Sequence, residues 1–212
     1  MSVNQMKNRT IKNTRRHQRQ RGFTLIEIAI VLVIIGLLIG GVMQGQSLIR
    51  AAKVKDIITT ATDLSGAAAT FKTRYHVLPG DHPAATTEIP GAVGNGNGNG
   101  VISVAESANV PSHLFASGFI KGGATAPIRT TYGAVWLVQR SSAITAASPC
   151  GAAVNNAAPA LTINNVIVFS TLPGDAAEEI DRKLDDGLFN SGTIRGSAAY
   201  SNGTVQCIAL PL

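Results

Sequence analysis

The sequence predicts an α+β fold, with one long N-terminal helix packed on a small antiparallel sheet. Two observations predict the helix. Residues from Phe23 to Tyr75 contain no proline, and their apolar positions pass from a continuous run to a three- and four-residue spacing. A third observation predicts the sheet: TYGAVWLVQR (131–140), LTINNVIVFST (161–171) and TVQCIAL (204–210) are rich in β-branched and aromatic residues.

The first segment, residues 1–22, is a basic leader. It holds Lys7, Arg9, Lys12, Arg15, Arg16, Arg19 and Arg21 and no acid, whereas the whole chain has a net charge of +6. The other residues carry 11 Lys and Arg against 12 Asp and Glu, so the body is close to neutral. A basic footprint spread over a folded face is thereby excluded, and no specific nucleic-acid site is evident.

An apolar run follows, residues 23–43, in which Glu27 is the only charge. As a helix of 21 residues it extends roughly 31 Å, enough to cross a bilayer. No small-residue cleavage site follows it, so the segment reads as retained. The positive leader places the N-terminus in the cytoplasm and the chain beyond Met43 outside.

From residue 44 to 75 the pattern becomes amphipathic. Leu48, Ile49, Ala52, Val54, Ile57, Ile58, Ala61, Leu64, Ala68, Phe71 and Tyr75 form one stripe, with Lys53, Lys55, Asp56, Asp63, Lys72 and Arg74 largely off it. The turn LPGDHP (78–83) ends the helix, because Pro79 disfavours helical geometry at Leu78. Residues 76–212 make the head. Within it, GNGNGNG (94–100) reads as a surface loop, and SHLFASGFIKG (112–122) as a short helix ending near Gly118 or Gly122. A further helix runs from Asp175 to Asp186, with Asp175 and Glu178 spaced as a capping box.

Cys150 and Cys207 both fall in the exported part, where a disulfide is the leading assignment and a free buried pair the alternative. Closing that region, 150–207, would stabilise the fold by about 4 kcal/mol in the chain-entropy view.

The residues GFTLIE (22–27), followed by an apolar run and a continuing helix, resemble the class III signal of type IV pilins and type II secretion pseudopilins. The resemblance covers Arg21 to Tyr75. Further on, AAEEIDRKLDDGLFNSGTIRG, with Cys207 downstream, is similar to the C-terminal region of some prepilin-like proteins. The resemblance implies a pilin-like fold whose apolar half-helix protrudes from the head. It also implies that a prepilin peptidase cuts after Gly22 and that the new amine of Phe23 is N-methylated. Glu27 would then meet the Phe23 ammonium of a neighbouring subunit in the filament core, since two buried opposite charges offset each other's desolvation. The alternative is that Glu27 snorkels to the cytoplasmic interface. Two departures stand out. Gln44 occupies a position where major pilins often carry a helix-kinking proline, and the leader is long, closer to the type IVb habit. Gly36, Gly40, Gly41 and Gly45 are the residues that can weaken the helix locally.

The Gly/Asn tract also fits the spacing of an EF-hand loop. Asn95, Asn97 and Asn99 take the first, third and fifth positions, Gly100 the sixth, Val101 the seventh, Ile102 the eighth and Glu106 the twelfth. Only one of these is a carboxylate, so calcium would bind weakly, and a flexible surface loop is the competing reading. The acidic residues Glu178, Asp181, Asp185 and Asp186 read as the solvated face of a capped helix. His76, Asp81 and His82 read as turn-surface residues rather than a metal site. No nucleophile, acid–base pair or phosphate cradle is visible, so an enzyme is not expected and neither is a cofactor.

The implied function is that of a structural subunit of a type IV pilus-like filament. A pseudopilin of a type II secretion system is the alternative, and a non-polymerising, membrane-tethered binding or adhesion protein the further one. The implied partners are identical or related pilin subunits, the prepilin peptidase and an inner-membrane assembly platform. The expected location is the inner membrane as a single-pass precursor, then a periplasmic or cell-surface filament.

Overall fold

A computed structural model describes residues 22–139, 165–200, 203 and 205–212. The chain divides into two compact units, Met1–Gly45 and Gln46–Leu212. Helix α1, Leu25–Tyr75, has 51 residues and passes through Gly36, Gly40, Gly41, Gln44 and Gly45 without interruption.

In the first unit the large apolar side chains of α1, from Leu25 to Met43, are exposed. In the second unit α1 buries Val54, Ile57, Ala61, Leu64, Ala67, Ala68 and Phe71. Their three- and four-residue steps put them on one face. The stripe begins later than its apolar pattern suggests: Leu48, Ile49 and Ala52 are exposed, and Val54 is the first buried position. Lys72 and Arg74 lie in the last turn, where cations complement the carbonyl end. The helix then ends at His76, whose φ of 63° turns the chain away.

Three short helices follow: α2 (Ala85–Glu88), α3 (Val104–Ser107) and α4 (Val110–Ala116). Helix α3 is stabilised by a reciprocal capping box between Ser103 and Glu106. Helix α4 stops as expected at Gly118, which adopts φ 77°. There the amide of Phe119 bonds to the Leu114 carbonyl and that of Gly118 to Phe115, both at 2.9 Å, the closing pattern that a left-handed glycine permits.

The expected sheet is present, with four antiparallel strands in the order β1 (Val135–Gln139), β2 (Asn165–Pro173), β4 (Val205–Pro211) and β3 (Arg195–Gly196). Leu137, Ile167 and Leu210 stand opposite one another across three strands. With Val135, Phe169 and Ile208 they join the cluster that contains the buried stripe of α1. Strand alternation sends Val138, Val166, Val168, Cys207 and Ala209 into a second, smaller cluster. A register shift between Phe169 and Leu172 accompanies the left-handed Thr171, φ 65°. Helix α5, Gly174–Leu184, starts directly after β2. The expected cap is not made: Pro173 is the N-cap residue and no side chain caps the helix. Asp175 instead bonds the amide of Ala176 and pairs with Arg50 of α1 at 2.8 Å, while Glu178 pairs with Arg182.

Candidate processing and assembly site

The start of α1 brings together the residues on which the sequence argument rests. Gly22 and Phe23 are exposed and precede the helix, and Phe23 is 84% accessible. Thr24 then caps α1. Its hydroxyl accepts the amide of Glu27 at 3.3 Å, and Oε2 of Glu27 accepts both the backbone amide and the hydroxyl of Thr24 at 2.8 Å. This is a capping box, which satisfies amides that a helix start otherwise leaves without partners. Glu27 therefore has a partner on its own chain, which the sequence argument missed although T-L-I-E carries the signature. Beyond it, α1 contains a window long and apolar enough to cross a membrane, none of it buried.

The Gly/Asn tract is an exposed surface loop whose side-chain oxygens are held by hydrogen bonds. Each asparagine oxygen already holds a backbone amide: Asn95 that of Thr86 at 3.0 Å, Asn97 that of Asn99 at 3.0 Å, and Asn99 that of Val101 at 2.8 Å. Glu106 is buried and divides its oxygens between the amides of Asn97 and Ser103, both at 2.9 Å. The side-chain oxygens on which the calcium reading of Asn95, Asn97, Asn99, Val101 and Glu106 rests are those of Asn95, Asn97, Asn99 and Glu106, and each already accepts a backbone amide. Ser103 and Glu106, spaced three apart, were the legible sign of this role.

The turn at 78–83 is corrected in the same way. His76 is exposed, but Asp81 and His82 are buried, at 1% and 3%. Asp81 Oδ1 accepts the amides of Gly98 at 2.7 Å and Asn99 at 3.2 Å, and Oδ2 accepts that of Gly100 at 2.7 Å. A methyl group on Gly96 would stand 2.3 Å from Asp81 Cα, so only glycine lets the two backbones approach. His113, fully buried, takes the Gly80 amide on Nδ1 at 2.9 Å and sets Nε2 3.0 Å from the Gly94 carbonyl. Those partners fix the neutral tautomer with the proton on Nε2. Burial holds the His113 imidazole below its ordinary value; the Gly94 carbonyl opposes this and His82 adds to it.

The acidic cluster on α5 is also not simply a solvated face. Asp181 is buried and accepts the Tyr200 hydroxyl at 2.8 Å. Burial raises its carboxyl above the ordinary range, against the Tyr200 hydrogen bond. Asp185 accepts the amides of Thr193 and Ile194, and Asp186 those of Leu188 and the hydroxyl of Ser191. Carboxylate oxygens of Asp181, Asp185 and Asp186 lie within 4.8 Å of one another. These bonds tie residues 188–200 to the end of α5. Cys207 is buried on β4, but Cys150 lies outside the described residues, and with it the expected pairing that would close the region 150–207.

Residues 17–43 match the family described as the prokaryotic N-terminal methylation motif. No curated protein and no solved structure matches the chain. The matched stretch spans Gly22, Phe23, the Thr24–Glu27 box and the exposed apolar part of α1 up to Met43. The chain carries the class III signal of the type IV pilin and pseudopilin superfamily, on a pilin-like α+β fold.

Proposed function

We propose that the chain is a structural subunit of a type IV pilus-like filament, processed between Gly22 and Phe23 and polymerised through the apolar part of α1. The observation that carries this reading is the class III signal directly preceding an apolar helix face left bare of its own chain. An apolar surface of that length needs lipid before assembly and other helices after it. The precursor is a single-pass inner-membrane protein with its leader in the cytoplasm, and the product is a filament of identical or related subunits.

Assembly is the mechanism. A prepilin peptidase removes the leader, a methyl group is added to the Phe23 amine, and the assembly platform lifts the helix from lipid into the filament core. Glu27 then pairs with the Phe23 ammonium of a neighbour, because either charge alone in an apolar core is costly. Thr24 supports this by fixing the carboxylate at the helix start before a neighbour arrives.

Mass spectrometry of the mature protein tests the reading. A chain that begins at N-methyl-Phe23 is expected; an intact leader, or cleavage beyond Met43, would refute it. Filaments on the cell surface distinguish a pilus from a secretion pseudopilus, and processed protein that never sediments as filaments indicates the tethered, non-polymerising role.

A further inference from the structure

Three consecutive Asn-Gly steps, Asn95-Gly96, Asn97-Gly98 and Asn99-Gly100, lie in one exposed tract. Such a step is chemically fragile. The glycine amide nitrogen attacks the asparagine Cγ, a C–N bond closes a five-membered succinimide, and the side-chain nitrogen leaves as ammonia. Water then opens the ring to aspartate or isoaspartate. The glycine offers no side chain to hinder the attack. The step requires the amide nitrogen to give up its proton and to turn toward Cγ.

Here each attacking amide is already committed elsewhere. Gly96 N–H donates to the His82 carbonyl at 2.8 Å. Gly98 N–H donates to both the carbonyl and Oδ1 of Asp81, at 2.8 and 2.7 Å, and Gly100 N–H to Asp81 Oδ2 at 2.7 Å. Hydrogen bonds to a buried carboxylate are among the stronger kinds, and they hold the N–H in place and pointed away from Cγ. The close backbone approach of Gly96 to Asp81 further restricts rotation.

We infer that Asn95, Asn97 and Asn99 are latent deamidation sites, kept intact by the Asp81–His82 turn that holds the amides of Gly96, Gly98 and Gly100. Conversion at Asn97 or Asn99 places a new carboxylate beside buried Asp81 and Glu106, and like charges so close oppose each other. An isoaspartate also lengthens the backbone and breaks the register of the remaining clamps. One conversion therefore loosens the other two, and the loop records the time the protein spends opened.

The test is site-resolved peptide mapping of the full-length protein in detergent, incubated at mildly alkaline pH, with aspartate and isoaspartate quantified. Folded protein should convert at Asn97 and Asn99 about tenfold more slowly than denaturant-unfolded protein, a barrier difference of about 1.4 kcal/mol. Asp81→Ala should raise the Asn99 rate toward the unfolded value, raise Asn97 less, since Gly98 keeps the Asp81 carbonyl, and raise Asn95 least, since Gly96 keeps the His82 carbonyl and loses no carboxylate contact. Uniform acceleration at all three sites is the signature of unfolding, and Asp81→Asn, which retains one acceptor oxygen, should then give intermediate rates at Asn97 and Asn99. Equal rates in folded and unfolded wild-type protein would overturn the inference. So would slower conversion in Asp81→Ala, which would make the carboxylate a base that promotes attack.

Discussion

Oδ2 of Asp81 accepts the amide of Gly100 at 2.7 Å across 19 positions of sequence. With the bonds from Gly98 and Asn99, this one buried side chain organises the end of the Gly/Asn tract. Removing it takes the acceptor from the Gly100 amide and one of two acceptors from the amides of Gly98 and Asn99. Asp81→Ala should destabilise the head by about 3 kcal/mol, read as a lower denaturation midpoint in urea or on heating. A midpoint within error of wild type would show that the amides find other acceptors.

Acidification should weaken the head through His113. Its folded value lies below the ordinary 6.5, so the unfolded chain holds the proton more tightly. Stability is therefore complete above about 6.5 and falls as pH drops from there toward the lowered folded value. The physical event is a proton on Nδ1 facing the Gly80 amide, donor against donor. Asp181 has the opposite sign: its raised value favours the folded state below the ordinary 3.8, and that advantage is lost as pH rises through the folded value. Thermal scans between pH 7.5 and about 5.5 should show the loss, and His113→Asn should flatten it.

Thr24→Ala should loosen the first turn of α1 without touching the apolar run. Both bonds of its hydroxyl, accepting the Glu27 amide and donating to Oε2, disappear. Amide hydrogen exchange of Leu25 to Glu27 in micelles should accelerate, while exchange beyond Ile30 stays unchanged. Glu27→Ala should insert and be processed normally but fail to assemble; normal filaments from that variant would count against the charge-pairing argument.

We propose that Cys150 and Cys207 are joined. Peptide mapping without reductant should recover a linked pair, and reduction should lower stability by about 4 kcal/mol for a loop of this size. Separate alkylated thiols recovered without prior reduction would refute the bridge.

The periodic parts of this chain were legible and the polar clamps were not. The absence of proline and the three-four spacing around Val54, Ile57, Ala61, Leu64 and Phe71 led directly to α1, because burial on one helix face imposes that period. The cores of β1, β2 and β4 were legible for the matching reason in strands, whereas the two-residue β3 is too short to carry a pattern. Leu48 and Ile49 misled, since apolar spacing tells which face would be buried but not how far along it the partner reaches. Asp81, His82 and Glu106 were misread as surface or cation-facing groups. Asp81 serves amides 17 to 19 residues away, Glu106 that of Asn97, 9 away, and the neighbouring His113 that of Gly80, 33 away, so no local window contains both partners. The Thr24–Glu27 box was local and readable, but the exceptional cost of a carboxylate in an apolar run drew attention to partners outside the chain.

Helix α1 is tied to the rest of the second unit at more than its apolar stripe. Arg50 grips Asp175 at 2.8 Å, and Asp56 Oδ2 accepts the Thr131 hydroxyl at 2.8 Å. A chain pulled along the axis of α1 would load these polar ties together with the seven buried side chains from Val54 to Phe71. That loading is in shear, so the contacts must fail together rather than one after another. In the filament proposed above, resistance to tension is then what the second half of this helix would supply.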